Sequence, residues 1–177
     1  MASLAALVEE YLAGPKALRQ AVSGMSREQI VARPVPGKWS TLEVVCHLAD
    51  FEPIGADRMK RIIAEDKPTL IGADEQHFAA ALHYHDRDLE EELTIIERTR
   101  SQMARILRKL PAEALNRVGN HNERGQVTLE QLLGNYVNKH IPHHVKFILE
   151  KRKALGLPGG GSTGSDVVHP GRPSPAH

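Results

Sequence analysis

Four stretches of the chain repeat their apolar residues with the 3.6-residue period of an α-helix, and this pattern restricts the fold most. In the first, Leu4, Leu7, Tyr11, Leu18 and Val22 form a stripe between Ser3 and about Ser23. Gly14-Pro15 lies inside it; proline lacks a backbone donor and crowds the preceding turn, which predicts a kink or break. Ser26 with Gln29 starts a short helical turn, and Arg33 to Trp39 is a loop by its prolines and glycine.

The second stretch opens on Ser40 as N-cap, with Glu43 at the reciprocal position of a capping box. Val44, Val45, Leu48, Phe51, Gly55, Met59 and Ile62 form its apolar face, Pro53 predicts a bend, and Lys67-Pro68 ends it. A short helix around Glu75 to Leu82 follows. The third long helix starts near Asp86 or Asp88, with Glu91 completing a capping box on Asp88. Leu89, Leu93, Ile96, Met103, Leu107 and Leu110 carry its stripe to Pro111. Residues 112–126 read as mostly loop. Thr128, with Gln131, caps a fourth long helix that extends to about Leu155. No strand-like alternation competes, so the pattern predicts an all-α four-helix bundle over residues 1–155. Residues 156–177 are dominated by Gly, Pro and Ser and predict a flexible tail.

Composition narrows the function. Hydrophobic residues make up 41% and aromatics 4%, enough for one aliphatic core. Net charge is +1 with no long basic block, which argues against nucleic acid as a partner. The Lys151-Arg152-Lys153 run complements the negative end of the last helix. The single cysteine, Cys46, forbids an intrachain disulfide and fits a cytoplasmic protein. The N-terminus lacks the features of a signal peptide, and no segment is long and apolar enough for a membrane span.

Chemistry concentrates in histidines. On a helical wheel of the fourth helix, Leu129, Leu133, Tyr136, Val137, His140, Phe147 and Ile148 share a face, and His143 and His144 flank His140 on opposite sides. Residues four apart lie about 6 Å apart along the axis, so His140 and His144 can lean onto one ion. Pro142, between them, predicts a bent or opened helix. His47 sits on the flank of the second helix's apolar stripe, and Cys46 points elsewhere. Two readings stay open: inward imidazoles that hold a metal, or buried histidines satisfied by carbonyls and neighbours. His121 lies in the loop before the last helix, where a surface position is the ordinary expectation and the lining of a substrate pocket the alternative; His77, His83 and His85 are expected to be solvated, a surface metal being the alternative. His169 and His177 fall in the tail and get no role. Asp50, one turn from His47, is a candidate to orient that imidazole, Glu43 being committed to the cap.

Two motifs extend this reading. Pro34-Val35-Pro36-Gly37-Lys38-Trp39-Ser40 followed by Glu43 to Asp50, and Gly125 to Leu133 followed by His140-Ile141-Pro142-His143-His144, resemble the opening and closing signatures of the DinB/YfiT-like superfamily. The resemblance covers roughly residues 5–153. It implies an up-down-down-up four-helix bundle, often a homodimer. It also implies a divalent metal (zinc, nickel or iron) held by His47, His140 and His144, which selects His144 over His143. Relatives include thiol-dependent S-transferases and metal-dependent hydrolases. The resemblance therefore implies a small-molecule substrate, with a low-molecular-weight thiol as one candidate. One departure is Phe147, where many relatives carry glutamine. Three histidine ligands leave a coordination position open, the pattern of a catalytic site. The alternative is a non-catalytic bundle stabilised by metal and acting through binding or dimerisation. A filled pocket at the metal would favour that alternative.

Overall fold

The computed structural model describes residues 3–161. Its long helices are α1 (Leu4–Val22), α3 (Thr41–Ala64), α5 (Leu89–Leu107) and a composite last helix. The composite consists of α6 (Leu129–Gln131), a π-helical turn (Leu132–Val137) and α7 (Asn138–Ala154), joined through helical backbone. Two short helices, α2 (Arg27–Val31) and α4 (Glu75–Ala81), lie between them. The capping boxes at Ser26, Ser40 and Thr128 form in both directions. At Asp88 the side chain accepts from the Glu91 amide.

Cross-helix contacts give the helix directions. Asn138 bonds the Leu7 carbonyl near the start of α1, and Arg152 bonds the Ala21 carbonyl near its end, so α1 and α7 are parallel. Glu52 meets Arg100 and Lys60 meets Gln102, so α3 and α5 are parallel too. Glu9 pairs with Arg108, and Arg19 with Glu90, so α1 and α5 are antiparallel. The order is up-down-down-up.

Three features depart from the sequence pattern. First, α1 runs unbroken through Gly14-Pro15. Pro15 has no N–H for the Tyr11 carbonyl, and Arg100 Nη1 from α5 fills that acceptor at 2.7 Å. Gly14 makes this approach feasible, because a β-carbon there would overlap the Arg100 guanidinium. Arg100 Nη2 also donates to Glu52 Oε2 at 2.8 Å and to the Val137 carbonyl at 3.2 Å, while Tyr11 Oη donates to Glu52 Oε1 at 2.8 Å. Arg100 and Tyr11 are wholly buried and Glu52 nearly so. One arginine thus ties together all four long helices.

Second, the expected loop after α5 contains order. A 3-10 turn at Ala112–Asn116 leads into β2 (Val118–His121) and β3 (Gly125–Thr128), and β2 pairs in parallel with β1 (Thr69–Leu70). Gly125, at φ +73°, closes the β2–β3 hairpin. Third, the π turn changes the phase of the last helix. A wheel at constant pitch puts Tyr136 and Phe147 inward, yet Tyr136 is exposed and Phe147 half-exposed; the buried positions are Asn138, Ile141, Ile148, Lys151 and Arg152.

The basic run does more than face a helix dipole. Arg152 is buried and donates to the carbonyls of Ala21, Ser23 and Pro158, capping the C-terminus of α1. Leu157 N–H bonds the Arg152 carbonyl, and Gly160 packs on the Gln20 and Ala21 backbone. The start of the segment expected as a tail is therefore held on the bundle; residues 162–177, including His169 and His177, lie outside the described residues.

Replacing Arg100 by Met leaves Glu52 buried without its cation and should cost about 3–5 kcal/mol in urea unfolding. The double variant Arg100→Met, Glu52→Gln should recover part of that loss. In thermal melts, a chain ending at Gly156 should fall below one ending at Gly161, because Pro158 and Gly160 contacts go with the removed segment.

Candidate metal centre

The capping box at Ser40 fixes the start of α3 and with it His47, two turns along and nearly fully buried. The last helix delivers His140 and His144 just beyond the π turn, a geometry frequent at functional sites. Gly55 allows α3 to approach the π turn closely, with Val137 against it. Arg100 bonds the last carbonyl of that turn, so the buried ion pair stands directly behind His140.

The three rings converge. Their centroids lie 4.9 Å (His47–His140), 4.7 Å (His47–His144) and 4.8 Å (His140–His144) apart. One nitrogen from each falls within 4.8 Å of the others, and His47 Nε2 faces His140 Nε2 at 2.9 Å. Two imidazole nitrogens on one tetrahedral zinc would stand about 3.4 Å apart, so small ring adjustments suffice. Burial drives all three imidazoles far below their ordinary value: His47 to about 4, His144 to about 3 and His140 to about 2. At neutral pH each is uncharged, the form that donates a lone pair.

A carbonyl-satisfied His47 is not observed: its Nδ1 and the Nδ1 of His144 are buried without a hydrogen-bond partner among the described residues. His47 Nε2 and His140 Nε2 can share only one proton between them, and a cation at the convergence would instead take a lone pair from each ring. The cluster is chemically fit to hold a metal ion.

Other candidates separate from this group. His143 is exposed and stacks edge-on against Phe147. Cys46 lies on the opposite side of α3, with its Sγ on the Tyr84 carbonyl, and burial pushes its thiol up to about 12. The expectation that Asp50 orients His47 is not met: Asp50 pairs with Arg87 at 2.8 Å, beside buried Glu92. Glu43 is committed to its cap and to Arg33. His77, His83 and His85 are exposed, as expected.

Two further residues gain importance from the tertiary structure, one of them, His121, in the pocket-lining role that is its alternative reading. Glu75, the first residue of α4, brings Oε2 to 3.8 Å from His47 Nε2. His121 is 6% exposed rather than a surface loop residue, because β2 places it inward. Neither has a local motif, since each reaches the centre through a tertiary connection.

Open space adjoins the rings on two sides. A cavity of about 340 Å³ is bounded by Phe51, Arg58, His121, Arg124 and His140. A second, of about 260 Å³, lies between Trp39, Glu75, His144 and Phe147. Phe147 gives that cavity an apolar wall where a glutamine would give a polar one. A larger groove of about 740 Å³ between α3, β1 and α4 includes none of the three rings and is not needed to explain them.

The sequence model of the DinB superfamily matches residues 10–148. The chain belongs to the DinB superfamily. It is 30% identical to "Putative metal-dependent hydrolase OB0782" of Oceanobacillus iheyensis, over 78% of this chain and 81% of that protein. It is 29% identical to "Putative metal-dependent hydrolase YfiT" of Bacillus subtilis, over 80% of each. The solved structure of Bacillus subtilis YfiT, described as a probable metal-dependent hydrolase with an unusual four-helix bundle topology, superposes with a TM-score of 0.81 at 26% identity. That match covers 88% of this chain and 89% of YfiT. Among the described residues, no helix is long and apolar enough to cross a membrane.

Proposed function

We propose that this DinB-superfamily protein is a metal-dependent hydrolase of a small molecule, its divalent ion held by His47, His140 and His144. The observation that carries the reading is the convergence of three neutral imidazoles at the border of two open cavities. A filled pocket would have favoured a purely structural metal, and these cavities are not filled. The donor set suits zinc, nickel or iron(II). When bound, such an ion supplies Lewis acidity and lowers the pKa of water.

The chain's own groups complete the chemistry. Glu75 is the carboxylate nearest the converging nitrogens, and its Oε2 can take a proton from an attacking water. The water oxygen forms the new bond to the substrate carbonyl carbon. The bond to the leaving group then breaks, and the proton on Glu75 passes to that group. Hydrolysis is favoured over transfer to a thiol because Glu75 supplies this proton path, and because the named relatives are described as hydrolases. The single cysteine, buried and held as a thiol, has no part as a nucleophile.

Trp39, the only tryptophan, lies 5.3 Å from His47 between ring centroids and reports on occupancy. Titration with cobalt(II) should quench its fluorescence with an end point near one ion per chain. His47→Ala, His140→Ala and His144→Ala should each weaken binding beyond the roughly 10–100-fold typical of losing an orienting partner. His143→Ala should leave it nearly unchanged; equal losses at His143 and His144 would sink the ligand assignment.

Glu75→Gln should retain the ion and lower hydrolysis of responsive small esters or amides by roughly 10²–10⁴-fold. Loss of the ion in this variant would make Glu75 a ligand. An unchanged rate would remove it from the reaction.

A further inference from the structure

The cavity on the His140 side has a chemical character that the metal reading does not require. Arg58 from α3, His121 from β2 and Arg124 from the β2–β3 turn all border it. His121 is more than nine-tenths buried. Its Nδ1 accepts the Glu123 amide at 3.2 Å, so in the neutral ring Nε2 carries the proton. No acceptor meets that N–H among the described residues. Arg58 donates through Nη2 to the Ile71 carbonyl, and its Nε is buried without a partner. Arg124 lies over the Tyr136 ring, 4.5 Å from its centroid. Among the described residues, neither arginine has an ion-pair partner.

The nearby carboxylates, Glu123 at the rim of the same cavity among them, offset this charge only in part, since none forms an ion pair with either arginine among the described residues. Glu52 is occupied by Arg100 and Tyr11, and Glu123 is exposed beside Gly72 without pairing to either arginine. Burial is the first cause disfavouring charge on Arg58 and on His121; Arg124 adds to it at Arg58 and both arginines add to it at His121, while Glu123 acts against it at both and Asp57 at Arg58. Lys139, also at the rim, is paired with Glu10. Two guanidinium groups without an ion-pair partner among the described residues, and an accessible, unpartnered N–H on a largely buried ring, border one cavity and are arranged for an oxyanion.

We propose that Arg58, His121 and Arg124 form a subsite for an anionic group, a carboxylate or a phosphate, on the small molecule that enters beside His140. The volume of about 340 Å³ fits a small metabolite. With its anion on the arginines, such a substrate turns its other end toward His140 and the converging rings. This inference names a substrate class for the hydrolase reading and rests on it for the role of the site, but not for binding itself.

The test follows the side-chain N–H signals of Arg58, His121 and Arg124 by NMR, with and without one equivalent of zinc. Glutarate, inorganic phosphate and the uncharged glutaramide are the probes. Saturable shifts with glutarate or phosphate and none with glutaramide are expected, and the tighter of the two identifies the preferred oxyanion. Arg124→Met, at an exposed position, and Arg58→Met should each weaken binding at least about tenfold, consistent with a charged hydrogen bond. Lys60→Met, on the outer face of α3, should not. Arg58→Lys, which keeps the charge, should bind more tightly than Arg58→Met and guards against misfolding of the latter. Equal response to glutaramide, or anion binding indifferent to both arginines, overturns the proposal. Binding of the anion to a protein that takes up no zinc would uphold the subsite and refute the metal reading; zinc uptake without anion binding would do the reverse.

Discussion

A buried arginine at the centre of the bundle sets the geometry on which the rest depends. Arg100 reaches a carbonyl freed by Pro15, a carboxylate from α3, and a carbonyl of the π turn. Desolvating a guanidinium is expensive, and the charge is tolerable because one carboxylate and two carbonyls meet its terminal nitrogens, Nε alone lacking a partner among the described residues. The same bonds constrain where α1, α3 and the last helix can lie relative to α5. A shift of any one helix would leave a charge or carbonyl unpaired, so the bundle has a register that greasy packing alone would not specify. Fixing the π turn also fixes the direction in which His140 leaves the last helix.

The site combines two opposite electrostatic regimes within a short distance. Around His47, His140 and His144, burial suppresses positive charge and leaves lone pairs free. Across the adjoining cavity stand two guanidinium groups that form no ion pair among the described residues. One region is suited to receive a cation and the other an anion. A molecule bridging them would be oriented by its own polarity before any shape-specific contact was made.

Much of this was legible in the chain because it depends on local signals. The capping boxes at Ser40 and Thr128 set where the ligand-bearing helices begin, and the spacing of His140 and His144 put both on one side. Other features depend on long-range partners. Gly14-Pro15 reads locally as a break, and only the arrival of Arg100, far along the sequence, makes it a docking point. Arg100 itself stands among charged neighbours on a helix otherwise read by its leucines. The strands are too short, and too rich in glycine and asparagine, to show alternation, since β-structure of this kind is fixed by its pairing partners. The π turn has no periodic signature, so a constant-pitch wheel placed Tyr136 and Phe147 on the wrong side.

The parallel arrangement of α3 and α5 has a consequence for how such a protein can diversify. With 24 residues, α3 has ends about 36 Å apart, and the chain must travel that length again before α5 can start in the same direction. An alternating bundle closes with short turns and has no such surplus. Here the obligatory return path is laid along the outside, and it carries Glu75 past the histidines on a segment with no buried residue of its own in α4. Substitutions in α4 displace no buried residue, while Leu70 before it and Tyr84 after it anchor the path in the core. The topology thus sets a packed interior beside a cover pinned at two points, and the span between those points can change its chemistry without renegotiating the fold.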